Sequence, residues 1–479
     1  MADFDLLIIG TGSGNSILGP EFEDWNVAIV ERGALGGTCL NAGCIPSKML
    51  VLPADRMVEA SEATAVMNVD ISANSADWPA IRDRVFGRID PIAVAGIEYR
   101  KGQDNVTVFE GDARFVGDRT VSIALEDGSV TEVSADRVVL AAGARPQMPD
   151  VDGLERTPFH TSDSIMRIDS LPEHLIILGG GFIAAELGHV FEGLGSKVTI
   201  VHRGDRLLRH EDSEISTRFT KVFGERVDLR FHTTTCAVEY ADGEFTLELV
   251  PAPGPGGAIA AGSAPSGGWA ASGGQFLRGD TLLITTGRVP NGAQLDVGRT
   301  GVSLDEGGYV VTDAHLATGA PGVWALGDIR NPAQLKHLAN QEARVVRHNL
   351  THPDEPISIH QRVVPHAVFS HPQVGSVGAT EMMLLNEGRL FVTGRCEYGS
   401  VAYGWALEDT TGFAKILIDP TDLKILGAHI IGPQSATLVQ QMVQAMEFGI
   451  PADRLAREQV WCHPALPELL ENALLDALG

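Results

Sequence analysis

A short apolar strand that runs into a glycine-rich turn, and is answered by a second apolar strand, occurs twice in this chain, about 170 residues apart. In the first copy FDLLIIG leads into Gly10-Thr11-Gly12-Ser13-Gly14-Asn15, and NVAIVER follows after a helix-length gap. A continuous apolar strand suits a parallel sheet covered on both faces, and parallel neighbours need a crossover, so each copy predicts a βαβ unit. The glycines, followed by a helix, would let backbone N–H groups and the helix dipole face a pyrophosphate at close range. Glu31, 21 residues beyond Gly10, is placed to hold ribose hydroxyls. An ordinary glycine-rich turn is the alternative, and the strand context with the acidic residue argues against it. Asn15 stands where a further glycine is usual, so its side chain is expected to crowd the turn or to reach toward a substrate.

The second copy, EHLIILGGGFIAAELGHVFEGLGSKVTIVHR, has the G-x-G-x-x-A form at Gly179, Gly181 and Ala184, with Phe182 and Ile183 opening its helix. Its second strand ends without an acid. Val201-His202-Arg203 stands there, with Arg206 and Arg209 close behind, so the expected ligand carries a 2′-phosphate: NADPH in preference to NADH. Elsewhere the balance is acidic, 62 Asp and Glu against 36 Lys and Arg, a formal charge of −26. That charge argues against nucleic acid or anionic lipid as partners. No apolar run of about twenty residues marks a membrane span, and MADFDLLIIG lacks the positive start of a secretory signal, so a cytoplasmic location is expected.

A length of 479 residues suggests about three domains, and 44% apolar with 20% charged residues is a globular composition. Strands are expected at Val106–Phe115, at Val121–Val133, and in ADRVVLAAGARP, DTLLITTGRVPN and GVWALGD. Pro251–Gly274, rich in Gly, Ala, Ser and Pro, reads as a flexible insertion between two strands of the second unit. From about Gln361 the pattern becomes strand-rich α+β, with helices expected at Ser435–Phe448 and Pro467–Leu478. The fold class expected is α/β: two Rossmann-like dinucleotide-binding domains plus a C-terminal α+β domain. The divisions expected are 1–150 for the first dinucleotide domain, 151–290 for the second with the insertion at 251–274, a central part at 291–358, and a C-terminal domain at 359–479.

Five cysteines, Cys39, Cys44, Cys236, Cys396 and Cys462, are too few and too odd in number for a secreted disulfide framework. The close pair lies in GGTCLNAGCIPSK. In a regular helix residues five apart are too distant to be bridged, so the backbone must bend for the sulfurs to meet, and Gly43 permits the bend. Pro46 suits the first turn of a following helix, whose N-terminus would favour a thiolate at Cys44. Two structural thiols or half of a zinc site are the other readings. Zinc would need further ligands at short spacing, and neither Cys236 nor Cys396 has a Cys or His neighbour to supply them, so no metal is expected.

GGTCLNAGCIPSK, together with the two dinucleotide motifs, resembles the active-site segment of the flavoprotein disulfide reductases, the family of glutathione reductase, dihydrolipoamide dehydrogenase and mercuric reductase. The likeness runs along essentially the whole chain. TGAPGVWALGD resembles the family's second FAD motif, HAVFSHPQVGSVGATE the start of its dimerisation domain, and His463-Pro464 with Glu468 its HPxxxE signature. On that resemblance 1–150 is the FAD domain, 151–290 the NADPH domain, 291–358 an FAD/central part and 359–479 the interface domain. The resemblance implies FAD on the first unit, touched by Gly10, Gly12, Ser13, Gly14, Asn15, Glu31, Gly37, Thr38, Ala113, Ala142, Gly143 and Asp328. It implies NADPH on the second, touched by Gly179, Gly181, Phe182, Ile183, His202, Arg203, Arg209 and Gly287, with Phe182 at the position of a gate that is Tyr in other members. It further implies a redox disulfide between Cys39, the interchange thiol, and Cys44, the thiolate on the flavin side, with Lys48 paired to Glu186 nearby. His463, oriented by Glu468, would carry the proton in the partner subunit's site of a homodimer acting on a small-molecule disulfide. Cys462 lies outside the family pattern and is expected to be a packing thiol.

Outside the shared motifs, GTGSGNSIL, RVFGRIDPIAVAG, CEYGSVAYGWALEDTTGF and HPALPELLENALL resemble the branch of the family that reduces the disulfide of mycothiol. Dihydrolipoamide dehydrogenases keep the acid that His202 replaces. Glutathione reductases carry arginines where Asn15-Ser16-Ile17 stands, and mercuric reductases carry a C-terminal cysteine pair where this chain reads ENALLDALG. A flavin-binding protein without catalysis would be expected to have lost Cys39, Cys44 or His463, and all three are present.

Overall fold

The computed structural model describes residues 2–72, 75–253, 275–360 and 363–479. The segment read as an insertion lies, from residue 254 onward, outside the described residues. The chain forms two compact units interleaved in sequence: Met1–Ser47, Arg82–Gln147 and Gly287–His360 make the first, and Lys48–Ile81, Met148–Thr286 and Gln361–Gly479 the second.

In the first unit the strands Val106–Gly117, Val27–Glu31, Phe4–Ile9, Val130–Leu140 and Val323–Ala325 lie side by side in that order, all parallel. Successive residues of Phe4–Ile9 feed two different cores. Leu7 and Ile9 pack with Ala28, Val30, Val138 and Leu140, while Leu6 and Ile8 pack with Val27, Ile29 and Val139. With both faces covered every inner position is apolar, which is why the strand reads as a run. Each such Leu or Ile contributes about 1.5–3 kcal/mol on burial. Thr120–Leu125 joins the protruding ends of its neighbours as an antiparallel ribbon. The single strand expected over Val121–Val133 is therefore two strands. The Asp127 carboxylate accepts from the N–H and hydroxyl of Ser129, and Gly128 sits at φ +84°, so the chain turns there.

The helix expected after Gly14 is absent. Only the three-residue 3-10 turns Gly14–Ser16 and Pro20–Phe22 precede Val27. Pro20 has no N–H to continue a helix and holds Gly19 in extended backbone, φ −142° and ψ −170°. The two long helices Cys44–Val66 and Trp78–Lys101 have no clear apolar stripe, and each contains an internal proline, Pro53 and Pro91, so sequence periodicity passes over them.

In the second unit Asp228–Arg230, Lys197–Val201, His174–Leu178 and Thr281–Ile284 form a second parallel sheet, with the helix Phe182–Gly193 after its glycine turn. Thr233–Ala241, Glu244–Pro251 and Gln275–Gly279 make an antiparallel ribbon. The C-terminal region is a five-stranded antiparallel sheet in the order His366–Val368, Val374–Gly378, Ile425–Ile431, Phe413–Ile418, Val392–Glu397. Helices Ser435–Glu447 and Glu468–Leu478 pack on it, each within a residue of the expected ends. Every residue of Phe413–Ile418 is buried, Lys415 included, whose ammonium meets Asp212 at 2.9 Å, Glu214 at 2.8 Å and Glu381. The architecture is thus α/β with two dinucleotide-type folds and a C-terminal α+β domain. No helix among the described residues is long and apolar enough to cross a membrane.

Candidate active site

Sterics build the first glycine turn. Gly10 has φ +97°, and a Cβ there would fall 2.4 Å from the Ala141 carbonyl oxygen, while a Cβ at Gly14 would lie 2.7 Å from Ala141 Cβ. Gly12, in contrast, faces open space. The outer glycines pack the turn on the sheet and the middle one leaves bare backbone for a ligand. Thr11 donates its N–H at 2.8 Å and its hydroxyl at 2.5 Å to Glu31 Oε2, and Glu31 Oε1 accepts from Gly33 N–H at 3.0 Å. Asn15 neither crowds the turn nor reaches for a substrate: Arg100 holds its Oδ1 at 2.7 Å and its carbonyl at 2.8 Å. Because Gly14–Ser16 is a single short turn, the helix dipole expected beneath the pyrophosphate is largely missing. The cation brought to this turn is Lys336, whose Nζ donates to Ser13 Oγ at 2.8 Å.

Ala142 and Gly143 follow the strand Val130–Leu140, where Asn291 holds both carbonyls, at 2.7 and 3.0 Å, and Gly143 also faces open space. Asp328 lies in the 3-10 turn Gly327–Ile329. Burial pushes its carboxyl above the ordinary range, against the pull of Arg288 and Lys336. Glu342, fully buried, accepts from Gly327 N–H at 2.5 Å and Asn331 Nδ2 at 2.9 Å and pairs with Arg330, so it fixes the turn that carries Asp328. Ala113 lies opposite Ile123 on the strand Val106–Gly117, which pairs with Val27–Glu31, and its side chain packs in the core.

Cys39 sits on the short helix Gly37–Asn41, and Cys44 opens Cys44–Val66. Between them Gly43 passes against the preceding backbone; a Cβ there would be 2.9 Å from the Thr38 carbonyl oxygen and 3.3 Å from Cys39 Cα. The chain thereby doubles back and the two sulfurs meet as an unbridged, hydrogen-bonded pair. That hydrogen bond, burial and the charge of Cys44 hold the Cys39 thiol far above its ordinary value, with Lys336 pulling the other way. Two close approaches pin this segment to the glycine turn. Gly36 N–H donates to Thr11 Oγ1 at 3.0 Å, and a Cβ at Gly37 (φ +65°) would lie 2.8 Å from Gly12 Cα. Thr38 is exposed beside them.

In the second unit Lys48 Nζ lies 2.6 and 2.8 Å from the two oxygens of Glu186 and 4.8 Å from the centre of the Phe369 ring. Phe369 N–H donates to Glu186 at 3.0 Å. Burial raises the Glu186 carboxyl, and Lys48 opposes the rise. Gly179 (φ +132°) touches Thr285, Gly181 is open, and Phe182 and Ile183 begin the helix, with Phe182 half exposed. His202 is wedged between Gly180 and Gly204, where a Cβ at either would be 2.6 Å from its ring. Burial, with Arg209 and Arg203 nearby, pushes its imidazole down to about 4, so it is neutral at pH 7. Arg203 and Arg209 are exposed and have no carboxylate partner among the described residues, whereas Arg206 is paired with Asp205. Gly287 falls in the first unit, beside Gln147. His463 Nδ1 and Glu468 Oε1 are 2.7 Å apart, and Ala465 N–H holds the other carboxylate oxygen at 3.1 Å. The His463 hydrogen bond lowers the Glu468 carboxyl. Cys462 is exposed, which corrects its expected burial: it follows Val460 and Trp461 on an irregular segment outside the helices.

The pattern of the pyridine nucleotide-disulphide oxidoreductases matches residues 4–343, and that of their dimerisation domain residues 364–474. The chain belongs to the pyridine nucleotide-disulphide oxidoreductases. It is 42% identical over 482 residues to mycothione reductase of Mycobacterium tuberculosis, covering 99% of both chains. Mercuric reductase of Streptomyces lividans is 31% identical, over 97% of this chain and 93% of that one, and mitochondrial dihydrolipoyl dehydrogenase of Dictyostelium discoideum is 30% identical, over 99% and 94%. Among solved structures, the HOCl-induced flavoprotein disulfide reductase RclA of Escherichia coli superposes with a TM-score of 0.82 at 25% identity, covering 98% of this chain and 99% of that one.

As a pyridine nucleotide-disulphide oxidoreductase the protein is an FAD-containing, NAD(P)H-using disulfide oxidoreductase with a dimerisation domain for pairing as a homodimer. Its residues fit both groups. The uncovered backbone of Gly12 and Gly143, with Lys336 alongside, forms a cradle that side chains would fill. In the second unit the buried His202 Nε2 has no hydrogen-bond partner among the described residues, beside two unpaired arginines. Sequence reasoning did not reach Lys336, Asn340, Arg100 or Glu342. Lys336 stands 323 residues from Ser13 and belongs to no motif, so no local signal marks it.

Proposed function

We propose that this oxidoreductase reduces the disulfide of mycothiol with NADPH, in the cytoplasm, through a Cys39–Cys44 redox pair. The observation that carries the substrate is the 42% identity to mycothione reductase over 99% of both chains, against 30–31% for the mercuric and dihydrolipoyl relatives. NADPH is favoured because the second strand ends on a neutral His202 and the free charges of Arg203 and Arg209.

FAD, when bound, supplies the two-electron relay from the nucleotide to the protein disulfide. One hydride equivalent reduces the Cys39–Cys44 bond to one thiol and one thiolate. Cys39 then attacks the substrate disulfide, forming a mixed disulfide and expelling one mycothiol thiolate. Cys44 attacks Cys39, closing the protein disulfide and expelling the second. His463, held by Glu468 at 2.7 Å, takes the Cys39 proton as that sulfur attacks and gives it to the first leaving thiolate. The sum takes up one proton from water per turnover. Lys48, fixed by Glu186, places positive charge where electron density accumulates. His463 and Glu468 of one protomer complete the site of its partner.

The test is NADPH oxidation by the holoenzyme with mycothiol disulfide, glutathione disulfide and lipoamide side by side. Mycothiol disulfide is expected to give a kcat/KM at least a hundredfold above the others. Equal or better turnover of either competitor rejects the assignment.

A further inference from the structure

Lys336 is the first residue of the 16-residue helix Lys336–Thr351, and its ammonium stands on the dinucleotide turn at Ser13. Asn340, one turn further on, accepts the Ser13 hydroxyl proton at 3.1 Å, which leaves the serine oxygen presented to the ammonium. Ser13 adjoins Gly12, and Gly12 is the residue against which Gly37 is packed, two positions before Cys39. Lys336 thus stands on the same turn against which the cysteine segment is packed. That segment has no charge of its own, since Gly33–Ser47 contains no Lys, Arg or His. The next cation, Lys48, is engaged by Glu186.

We propose that Lys336 is a positioning residue for the redox step, its ammonium keeping the reduced cysteine pair in its thiol–thiolate form. The proposal rests on the reading of Cys39 and Cys44 as the redox pair. Hydride delivery to an S–S bond yields one thiol and one thiolate with no further proton. Without a neighbouring cation the thiolate takes up a second proton from water, and the species that must expel substrate thiol is lost. The charges facing the pair agree with this role. Cys39 is held up by its bond to Cys44, by burial and by the charge of Cys44, and Lys336 opposes them. Asp328, the carboxyl that also feels Lys336, is drawn more strongly by Arg288, while buried Glu342 repels it. Lys336 thus substitutes a side-chain charge at a turn whose three-residue 3-10 element has little dipole to offer.

The experiment reduces the holoenzyme with one equivalent of NADPH and follows iodoacetamide alkylation of the pair as a function of pH. Wild type is expected to show a reactive sulfur ionising below the ordinary thiol value of about 8.5. Lys336→Met is expected to move that midpoint up by about one unit, roughly tenfold slower alkylation at pH 7, and Lys336→Arg to restore it. A midpoint shared by wild type and Lys336→Met overturns the proposal. So does a wild-type midpoint at or above about 8.5, a measurement that needs no variant to fold. If reduction exposes no two additional thiols, the redox-pair reading itself fails and takes this one with it; two new thiols indifferent to Lys336 sink this proposal alone.

Discussion

His202 occupies the position where an acid would select NADH, yet it contributes no charge, because burial and two arginines keep its ring neutral. On the proposed reading, selectivity for the 2′-phosphate falls to Arg203 and Arg209. Arg203→Ala is expected to raise KM for NADPH about 10- to 100-fold and leave KM for NADH almost unmoved, as steady-state kinetics with both nucleotides will reveal. An unchanged ratio removes Arg203 from that role. Residues of this kind were legible because each answers to a local rule: a glycine where a Cβ would strike backbone, as at Gly10, or a missing acid at a strand end. Asn15 was misread because its partner, Arg100, lies 85 residues away on a helix without a periodic signature. Lys336 was invisible for the same reason. A long-range polar contact leaves no spacing to count.

Among elements, the strand Phe413–Ile418 poses the sharpest energetic question, since it buries an ammonium among three carboxylates. Lys415→Met leaves Asp212 and Glu381 without their ammonium and Glu214 with Arg395 alone, and is expected to cost about 3–5 kcal/mol in urea unfolding of the holoenzyme. A loss below about 1 kcal/mol would mean that the carboxylates simply take up protons. A second polar contact, at the edge strand His366–Val368 of the same sheet, is pH-dependent. His366 Nε2 and Glu211 Oε1 are 2.7 Å apart. Burial disfavours both charges, but the mutual hydrogen bond prevails, raising His366 above 6.5 and lowering Glu211 below 4.5. The His366 contribution is complete below pH 6.5 and fades as pH rises through its raised value. That of Glu211 is complete above pH 4.5 and fades as pH falls through its lowered value. The Tm difference between wild type and His366→Gln should accordingly be greatest near pH 5–6 and shrink by pH 8; a difference that grows toward pH 8 would reverse the assignment. Buried strands and the amphipathic C-terminal helices were legible from their apolar patterns. The turn at Gly128 and the interruption at Gly19-Pro20 were written in residues whose local preferences the longer apolar pattern obscured.

For the molecule as a whole, the proposed sharing of His463 and Glu468 between protomers can be read out by mixing. Cys39→Ser and His463→Gln homodimers should each be nearly inactive. After reversible dissociation and reassociation in equal amounts, activity should return to about a quarter of wild type, since half the dimers would be mixed and each would own one intact site. No recovery despite demonstrated subunit exchange would confine the histidine to its own subunit's site. Two dinucleotide-type folds were legible from the repeated motifs, and the FAD character of 291–358 from TGAPGVWALGD, but the interleaving of Lys48–Ile81 into the second unit was not, because neither motif records it. The split of the first unit along the chain has a consequence for synthesis. The first unit closes its parallel sheet with Val323–Ala325 and brings Lys336 to the glycine turn only from its last segment, Gly287–His360. A nascent chain on the ribosome must therefore carry an unfinished sheet edge through most of translation, and the proposed FAD cradle is completed only near the end.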